Sequence, residues 1–373
     1  MHTATSVTAA VARAPGRPFV LERVRVDAPR PHEVLLRTEA AGICHTDLSV
    51  RAGHTPFPLP GVLGHEGVGT VVAVGSAVTA TAPGERVLAT FDSCGDCPAC
   101  RVGRPVRCAH WPALNLFGGS RLDGSPTLWD TAGTPLHGKF FGQSSFAELA
   151  LASDRNVVPV PEDLPAAVLA PFGCGVQTGA GAVLNVLRPE PGDSLAVFGA
   201  GAVGLSAVLA ARLTAATRII AVDLHPARLA LARRLGATDV VEAGSNDAAD
   251  AIAELTGRRG VDRALETSGD VRALRQAVAS LAIGGMLGVV GAPPQGTEVG
   301  LDVPQLLDRG TRIVGINQGA SLPQRFLPAL VDLFRSGRLP VDELVRCYPF
   351  EQIERAAQDA LTGQVVKPVL LMT

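Results

Sequence analysis

Short apolar stretches separated by Gly and Pro characterise the chain up to about residue 151. Residues 33–37, 68–74 and 85–88 have this pattern and predict short strands of an irregular β-rich domain. Residues 109–138 are rich in Pro and Gly and show no periodicity. We interpret them as a long loop that could pack against another subunit.

A different pattern, in which strand-length apolar runs alternate with helical stretches, extends from residue 177 to about residue 315. The predicted strands are 195–198, 218–222, 263–266, 287–290 and 312–315. The predicted helices are 202–213, 226–235 and 271–282, with a further helix at 325–336. This βαβ repetition predicts an α/β protein with a parallel, doubly wound sheet. We expect a β-rich domain at 1–176, a doubly wound domain at 177–316, and a segment at 317–373 that returns to the first domain.

Composition favours an enzyme over a nucleic-acid-binding or membrane protein. A chain of 373 residues exceeds one ordinary core, and its 47% apolar and 18% charged residues suit two well-packed domains. Because the net charge is only −2, nothing attracts a phosphate backbone, so no nucleic-acid partner is expected. Residues 1–18 lack a signal-peptide pattern, and the uncharged run at 194–211 is short and contains glycines. We therefore expect a cytoplasmic protein with no membrane partner.

A glycine motif lies between a predicted strand and a predicted helix. Gly199, Gly201 and Gly204 fit G-x-G-x-x-G, with Ala202 and Val203 between the last two glycines. In this context the first glycine permits a tight turn, the second lets a pyrophosphate approach the backbone, and the third allows close packing of helix on strand. The helix N-terminus then faces the anion. The motif predicts a dinucleotide site.

Asp223 follows the next predicted strand, 19 residues after Gly204. A carboxylate there would accept hydrogen bonds from the adenosine ribose and repel a 2′-phosphate, which favours NAD over NADP. Arg228 is close in sequence and leaves NADP open as a second cofactor. The alternative interpretation is that Asp223 caps a helix that begins near Pro226.

Four of the seven cysteines, Cys94, Cys97, Cys100 and Cys108, fall within fifteen residues. This odd, clustered set does not suit a secreted disulfide scaffold and indicates a metal site. The spacing lets one loop supply four sulfur ligands, at ~2.3 Å, to a tetrahedral zinc. An iron–sulfur cluster is the competing interpretation. Because no other electron-carrier feature accompanies the cysteines, we predict a structural zinc with no open position.

Cys44, His65 and Cys174 are candidates for a second metal site. Two thiolates and one imidazole would leave the fourth position of a tetrahedral zinc for water or substrate. Glu66, beside His65, could support a ligand or become a transient ligand. Taken singly, each of the three candidates is more commonly a buried core residue. The surrounding sequence therefore has to show whether these residues are metal ligands or core residues.

That surrounding sequence consists of Gly42-Ile43-Cys44-His45-Thr46-Asp47, Gly64-His65-Glu66-Gly67-Val68-Gly69 and Gly173-Cys174-Gly175, with the four-cysteine loop between them. Together these motifs resemble the zinc-containing medium-chain alcohol dehydrogenase family over essentially the whole chain. Further motifs most resemble the aryl-alcohol (benzyl alcohol) dehydrogenases, and geraniol-type dehydrogenases share much of them. These motifs are Phe141-Gly142-Gln143-Ser144-Ser145-Phe146-Ala147 and Val290-Gly291-Ala292-Pro293. The resemblance implies a GroES-like domain with both zincs, a Rossmann domain that binds NAD, and a homodimer or homotetramer.

The resemblance also implies a proton relay. A zinc at the second site would act as a Lewis acid on the alcohol oxygen, and Thr46 would accept the alcohol proton. Many family members carry a His at the last relay position, where this chain has Ser49. Because Ser49 is not a base near neutral pH, water through Ser49 or past His45 would have to complete the relay.

Further resemblances concern the cofactor and the substrate. His45 and Lys367 resemble residues that contact the cofactor pyrophosphate, although Lys367 could equally be an exposed surface lysine. Val290, Gly291 and Ala292 resemble cofactor-binding positions. The walls of the substrate pocket are expected to be Phe140 and Phe141, with Phe91 or Leu116. Such an aromatic, apolar pocket favours benzylic or allylic primary alcohols and aldehydes.

Three rival functions remain at this stage. The same scaffold could reduce an iminium or an activated alkene in a biosynthetic pathway; Ser49 in place of the usual relay base leaves this open, because iminium reduction needs no alkoxide proton relay. It could be a zinc-free quinone-reductase relative, although Cys44, His65 and Cys174 argue against that. It could also be a non-catalytic binding protein on the same fold, which the intact metal and glycine motifs disfavour.

Overall fold

The chain, described over residues 5–244 and 247–372 by a computed structural model, divides into two compact units. One contains the described residues of Met1–Cys174, Leu322–Asp332 and Asp342–Thr373, and the other those of Gly175–Ser321 and Leu333–Val341. Residues 1–4 and 373 of the first and last predicted domains, and residues 245–246 of the second, lie outside the described residues.

The strands, numbered in chain order, are β1 Thr5–Ala12, β2 Phe19–Val26, β3 Glu33–Gly42, β4 Gly61–Val62, β5 Gly67–Val74, β6 Arg86–Ala89, β7 Leu128–Asp130, β8 Pro135–Leu136, β9 Leu149–Ser153, β10 Val157–Pro159, β11 Ser194–Phe198, β12 Arg218–Asp223, β13 Asp239–Glu242, β14 Val261–Glu266, β15 Leu281–Val289, β16 Arg312–Gly315, β17 Val345–Pro349 and β18 Lys367–Leu371. Short apolar runs with β-branched residues account for most of them.

The α-helices are α1 His45–Ala52, α2 Pro98–Arg101, α3 Ala166–Leu169, α4 Gly175–Gly181, α5 Ala202–Ala211, α6 Pro226–Leu235, α7 Ala248–Leu255, α8 Val271–Ala279, α9 Val303–Arg309, α10 Pro323–Arg335 and α11 Ile353–Leu361. Across the part of the chain that the structure describes, no single helix is long and apolar enough to span a membrane. The consecutive helical stretches Ala166–Gly173 and Gly175–Leu187 meet that criterion of length and composition only when taken together.

The first unit contains two sheets, with strand orders β4-β1-β2-β7-β8 and β10-β6-β5-β3-β18-β17. In the larger sheet β3 pairs antiparallel with β5, β9 and β18. Ala41, near the end of β3, pairs with Gly67, the first residue of β5. Because the strands are antiparallel, the segment that leaves β3 and the segment that enters β5 meet at the same end of the sheet. Cys44 follows β3 and His65 precedes β5, so this register brings the two residues together.

The second unit is built on one six-stranded parallel sheet with the order β13-β12-β11-β14-β15-β16. Its strands alternate along the chain with helices, which confirms the predicted doubly wound fold. Buried apolar residues of β11, β12, β14, α7 and α8 form its core. The strand order changes direction at β11, so the carboxyl end of β11 is where a ligand site is expected.

Some sequence predictions of secondary structure were wrong. Residues 109–138 are not a continuous loop: they contain a π-helical turn at Ala113–Phe117 and the short strands β7 and β8. Strand β7 pairs with β2, and β8 pairs with β7, with Leu128 and Leu136 buried; such short strands leave no periodic signal. Helix 271–282 ends at Ala279 because β15 begins at Leu281, earlier than the predicted strand at 287. Strand β13 was not predicted.

Candidate metal and cofactor sites

Three elements of the first unit supply the second candidate metal site. Cys44 precedes α1, His65 precedes β5, and Cys174 follows a 3₁₀ turn at Ala170–Gly173. The two sulfur atoms and a ring nitrogen of His65 all lie within 4.8 Å of one another. His65 and Cys174 are buried and Cys44 is half-buried. The structure thus brings together three residues that lie far apart in the sequence.

Asp47, in the first turn of α1, orients two of the three. Its buried carboxylate accepts hydrogen bonds from the backbone N–H groups of Cys44 (2.8 Å) and Gly64 (3.0 Å). It also lies 3.1 Å from Nδ1 of His65. With Nδ1 directed at Asp47, the opposite nitrogen, Nε2, is buried and has no hydrogen-bond partner among the described residues. Such an atom is costly to bury, and ligation of a metal ion would satisfy it.

The pKa values of the two thiols are shifted in opposite directions. The hydrogen bond from Cys174 lowers the pKa of Cys44, and the same hydrogen bond, together with burial, raises the pKa of Cys174. The contact between the two sulfurs therefore favours the thiolate form of Cys44 and opposes that of Cys174, and a metal cation between them would favour the thiolate form of both. Two sulfurs and one imidazole nitrogen are the ligand set of a catalytic zinc with an open fourth position. The chemistry of the residues fits that metal.

Glu66 and Lys367 form a buried ion pair beside this site. Nζ of Lys367 donates to both carboxylate oxygens of Glu66, at 2.9 Å each, and to the backbone oxygen of Ile43, at 3.1 Å. Lys367, on β18, is only 2% exposed, so the alternative of an exposed surface lysine is wrong. Gly42 makes room for the pair, because a Cβ there would lie 2.0 Å from an oxygen of Glu66. A contact between Lys367 and a cofactor stays a prediction.

The residues of the expected relay lie on α1. The hydroxyl oxygen of Thr46 is 3.8 Å from the sulfur of Cys44. The hydroxyl of Ser49 is 2.8 Å from that of Thr55, and both side chains are half-buried. His45, at the start of the helix, is exposed. Sequence reasoning missed Thr55, since a lone threonine in a loop carries no signal.

Aromatic rings surround the imidazole of His65. Phe141 stacks on it at a centroid distance of 4.4 Å, and Phe140 meets it edge-on at 5.2 Å. Phe57 contacts Phe140, and Trp111 contacts Phe141. Of the predicted pocket residues, Phe91, Phe140 and Phe141 belong to the buried apolar core of the first unit, and Leu116 packs against that core. Sequence reasoning missed Phe57 and Trp111, which lie in irregular segments without a motif.

The four clustered cysteines converge as the spacing predicts. Sulfur atoms of Cys94, Cys97, Cys100 and Cys108 all lie within 4.8 Å of one another, and none of these cysteines forms a disulfide. Around a tetrahedral zinc they would be about 3.8 Å apart. The backbone N–H of Cys94 donates to the sulfur of Cys108, and that of Cys97 to the sulfur of Cys94. Backbone N–H groups of Ala109 and Cys100 lower the pKa of Cys97 to about 6, which favours a thiolate ligand.

In the second unit, Gly199 and Gly201 of the dinucleotide motif lie between β11 and α5, and Gly204 lies in the first turn of α5. Gly199 has φ +97°, and a Cβ on Gly204 would lie 1.7 Å from the carbonyl oxygen of Gly199, so the fold itself requires both glycines. A Cβ on Gly201 would meet no atom within 4 Å, and φ of Gly201 is −80°. The protein alone does not explain Gly201, but close approach of a pyrophosphate would. Ala202 and Val203 begin helix α5.

Asp223, at the end of β12, holds the same turn. Its carboxylate accepts hydrogen bonds from the backbone N–H of Ala200 (2.6 Å) and of His225 (2.8 Å). Neither bond caps the first turn of α6, so the helix-capping alternative is wrong. Arg228, on α6, is half-buried, and its Nε has no hydrogen-bond partner among the described residues.

Val290 and Gly291, which with Ala292 follow β15, both donate backbone N–H bonds to the carbonyl oxygen of Glu266. The side chain of Glu266 accepts from the backbone N–H groups of Ser268 and Gly269. A Cβ on Gly291 would lie 2.4 Å from a carboxylate oxygen of Glu266. Glu266 thus ties together the loops that follow β14 and β15, a role that the sequence did not reveal.

Comparison with known proteins identifies the family to which the chain belongs. Residues 30–162 match the alcohol dehydrogenase GroES-like domain and residues 202–336 the zinc-binding dehydrogenase domain. The chain is 44% identical over 367 residues to a geraniol dehydrogenase from Castellaniella defragrans, with 98% of each chain covered. The chain belongs to the zinc-type medium-chain alcohol dehydrogenase family, as its motifs predicted.

Two solved structures are similar over their whole length. An alcohol dehydrogenase zinc-binding domain protein from Burkholderia ambifaria is 51% identical with a TM-score of 0.96, and 100% of each chain is covered. A benzyl alcohol dehydrogenase from Acinetobacter calcoaceticus is 42% identical with a TM-score of 0.95, covering 99% of this chain and 100% of that one. These similarities confirm the predicted combination of a GroES-like domain and a Rossmann-type domain.

Proposed function

We propose that the protein transfers a hydride between NAD(H) and a primary aromatic or allylic alcohol or aldehyde, with a catalytic zinc at Cys44, His65 and Cys174. The observation that carries the proposal is the convergence of a ring nitrogen of His65 and the two sulfurs within 4.8 Å of one another, while the buried Nε2 of His65 has no hydrogen-bond partner among the described residues. A zinc bound there supplies a Lewis acid that polarises the substrate oxygen. The four-cysteine loop holds a second, structural zinc with no open position.

The residues around this site position groups and move a proton. Asp47 holds Nδ1 of His65, so that Nε2 faces the metal position. The hydroxyl of Thr46, close to the sulfur of Cys44, takes the proton of the substrate alcohol. The paired hydroxyls of Ser49 and Thr55 conduct that proton onward, and because neither is a base near neutral pH, water accepts it.

The cofactor proposal is NAD, which supplies the hydride acceptor. The open space over Gly201 admits the pyrophosphate at the start of α5, where backbone N–H groups face it. The carboxylate of Asp223 lies against the same turn and disfavours a 2′-phosphate. The Nε of Arg228, which has no hydrogen-bond partner among the described residues, supports weak acceptance of NADP. His45, Val290, Gly291, Ala292 and Lys367 are proposed cofactor contacts on the resemblance to the family alone.

The substrate proposal rests on the apolar cluster beside the metal position. The rings of Phe140 and Phe141 contact His65, Phe91 belongs to the same hydrophobic core of the first unit, and Leu116 packs against that core. Such walls favour flat, apolar carbon chains next to the reacting carbon. Two of the similar proteins are named for geraniol and benzyl alcohol, which are allylic and benzylic primary alcohols. A hydrophobic wall distinguishes one methylene by only ~1–3 kcal/mol, so a class of alcohols is expected.

We also propose that the protein is a cytoplasmic homodimer or homotetramer. Strand β16 is an edge of the parallel sheet, and Ile283, Val303 and Leu307 are exposed apolar residues of the same unit. Exposed edges and apolar side chains of this kind are normally covered by a partner. Light scattering of the purified protein measures the assembly directly.

The test combines metal analysis with NAD reduction in the presence of benzyl alcohol, geraniol or ethanol. We expect two zincs per chain and turnover of the first two alcohols. Cys174→Ala should lose one zinc and all activity, whereas Cys347→Ala, at an exposed cysteine on β17, should keep both. Two zincs without turnover of any alcohol would refute the substrate proposal and favour reduction of an iminium or activated alkene. One zinc or none in the wild-type protein would refute the mechanism.

A further inference from the structure

We propose that Gln143 is a positioning residue for the candidate catalytic zinc, holding the backbone that carries His65 and Glu66. The proposal rests on the proposed function, because it takes the metal bound by Cys44, His65 and Cys174 to be zinc. Gln143 belongs to the motif 141–147 of the sequence, of which Phe141 stacks on His65.

The side-chain amide of Gln143 forms hydrogen bonds with the backbone on both sides of Glu66. Its Oε1 accepts a hydrogen bond from the backbone N–H of Gly67, at 3.0 Å. Its Nε2 donates to the backbone oxygen of His65 and to that of Thr90, both at 3.0 Å. The side chain is completely buried, so no water can replace these bonds. Removing the amide would leave three buried backbone groups without this partner.

The residues that follow Gln143 continue the contact along the same segment. The hydroxyl of Ser144 donates to the carbonyl of Val62 (2.7 Å). The backbone N–H groups of Ser145 and Phe146 donate to the carbonyls of Gly64 (2.9 Å) and Leu63 (3.0 Å). Residues 143–146 therefore satisfy four consecutive carbonyls, from residue 62 to residue 65, together with the N–H of residue 67. His65 is thus held by a continuous row of hydrogen bonds from one partner segment.

Tight packing prevents this segment from shifting. A Cβ on Gly64 would lie 2.5 Å from the ring of Phe146, and a Cβ on Gly67 would lie 2.7 Å from Cβ of Ser145. Gly64 also has φ +88°, which favours glycine. Because the two segments lie this close, the hydrogen bonds of Gln143 determine where the backbone of His65 sits.

The same motif fixes the imidazole ring. Phe141 has φ +49° and ψ +36°, a conformation that non-glycine residues rarely adopt. In this conformation its ring stacks on His65, 4.4 Å away and inclined by 22°. Its carbonyl accepts a hydrogen bond from Asn156 (3.2 Å). A strained backbone conformation persists only where its surroundings enforce it. The ring of Phe141 is therefore held in one position, and it holds the imidazole of His65 in place.

Gln143→Met tests the inference, because methionine keeps the shape and removes the amide. Changes to groups that orient a metal ligand typically cost 10–100-fold in affinity. We therefore expect one of the two zincs to pass to a chromogenic chelator about 10–100 times faster than in the wild-type protein. The zinc of the four-cysteine loop should leave at an unchanged rate and is the internal control. In the cobalt-substituted protein, the visible ligand-field spectrum of the same site should shift.

Asn115→Leu is the matched control. Asn115 is also completely buried and makes the same set of bonds: its amide donates to two backbone oxygens and accepts from the N–H of Asp92. It makes none of the contacts to residues 62–67 described above. We expect Asn115→Leu to lower thermal stability without changing the zinc release or cobalt spectrum of the Cys44 site.

Gln143→Glu provides a second variant if the methionine protein does not fold. The protonated glutamic acid side chain keeps the hydrogen-bond acceptor and one donor. Zinc release from the Cys44 site should therefore be faster than in the wild-type protein and slower than in Gln143→Met. Wild-type release rate and cobalt spectrum in both Gln143 variants would overturn the inference, and so would equal changes in Asn115→Leu. A wild-type protein without zinc at Cys44, His65 and Cys174 would instead refute the proposed function.

Discussion

Breaking the buried pair of Lys367 and Glu66 should destabilise the protein strongly. Lys367→Met keeps the length of the side chain but removes three donated hydrogen bonds, two of them to the carboxylate of Glu66. The carboxylate then stays buried without its counter-charge. Removal of one partner from a buried ion pair costs ~3–5 kcal/mol. In a domain of this size each kcal/mol lowers Tm by ~2–4 °C, so we expect a loss on the order of 10 °C.

Thermal unfolding of the metal-loaded protein, followed by circular dichroism at one scan rate, measures the effect. Lys139→Met is the matched control, because Lys139 is the only other lysine of the chain and is also buried. Lys139 donates its hydrogen bonds to the carbonyls of Gly142 (3.0 Å) and Leu151 (3.4 Å), whereas the carboxylates of Asp92 and Glu33 act on its charge electrostatically. Loss of such bonds costs ~1–3 kcal/mol, so its Tm should fall by less.

The double variant Glu66→Gln/Lys367→Met separates charge from packing. It removes the uncompensated carboxylate, and replacing both members of a buried pair is often close to neutral. We expect the double variant to recover most of the Tm lost in Lys367→Met, so that its destabilisation is much smaller than the sum of the two single effects. Equal losses in Lys367→Met and Lys139→Met, or no recovery in the double variant, would show that Lys367 does not compensate Glu66.

Two further predictions concern the nucleotide turn and a buried guanidinium. Gly201→Ala should leave Tm unchanged but weaken NADH binding, measured by fluorescence, roughly tenfold. Gly204→Ala, whose Cβ would clash with a carbonyl, should lower Tm. Unchanged NADH affinity in Gly201→Ala would contradict the proposed pyrophosphate position over Gly201. Arg121 donates two hydrogen bonds of 2.8 Å to Glu33; burial opposes the charge of Glu33, but Arg121 holds its pKa below the usual value. The stabilisation from the ionised Glu33 is fully present above its unfolded pKa of about 4.3 and disappears as the pH falls through its lower folded pKa. The loss of unfolding free energy in Arg121→Met, measured by urea unfolding, should therefore be largest near pH 7 and shrink below about pH 4. A deficit independent of pH would contradict it.

The sequence predicted best those features that one short segment determines. The glycine motif was recognisable because turn geometry and helix packing constrain Gly199 and Gly204 locally. The four cysteines were recognisable because one loop can wrap a metal ion. The parallel sheet was recognisable because each strand and helix has its own apolar period. Strands β7 and β8 were missed because two or three residues show no period.

The partners of the metal ligands could not be predicted in the same way. Lys367 is 301 residues from Glu66, and the amide of Gln143 is 78 residues from the backbone oxygen that it binds at His65. Lys367 was therefore balanced between a surface residue and a cofactor contact, and neither interpretation placed it beside Glu66. No periodicity or spacing encodes which buried polar groups will meet.

The difference has a physical origin. A metal ion accepts few residue types, so chemistry admitted Cys44, His65 and Cys174 as candidates, and the surrounding family motifs selected them before their positions were known. A buried hydrogen bond or ion pair requires only that donor and acceptor meet in a medium of low dielectric constant, and many residue types meet that condition. The sequence consequently revealed which atoms could bind the metal. The structure was needed to show what holds those atoms in place, and these supporting groups should determine how tightly the metal is kept.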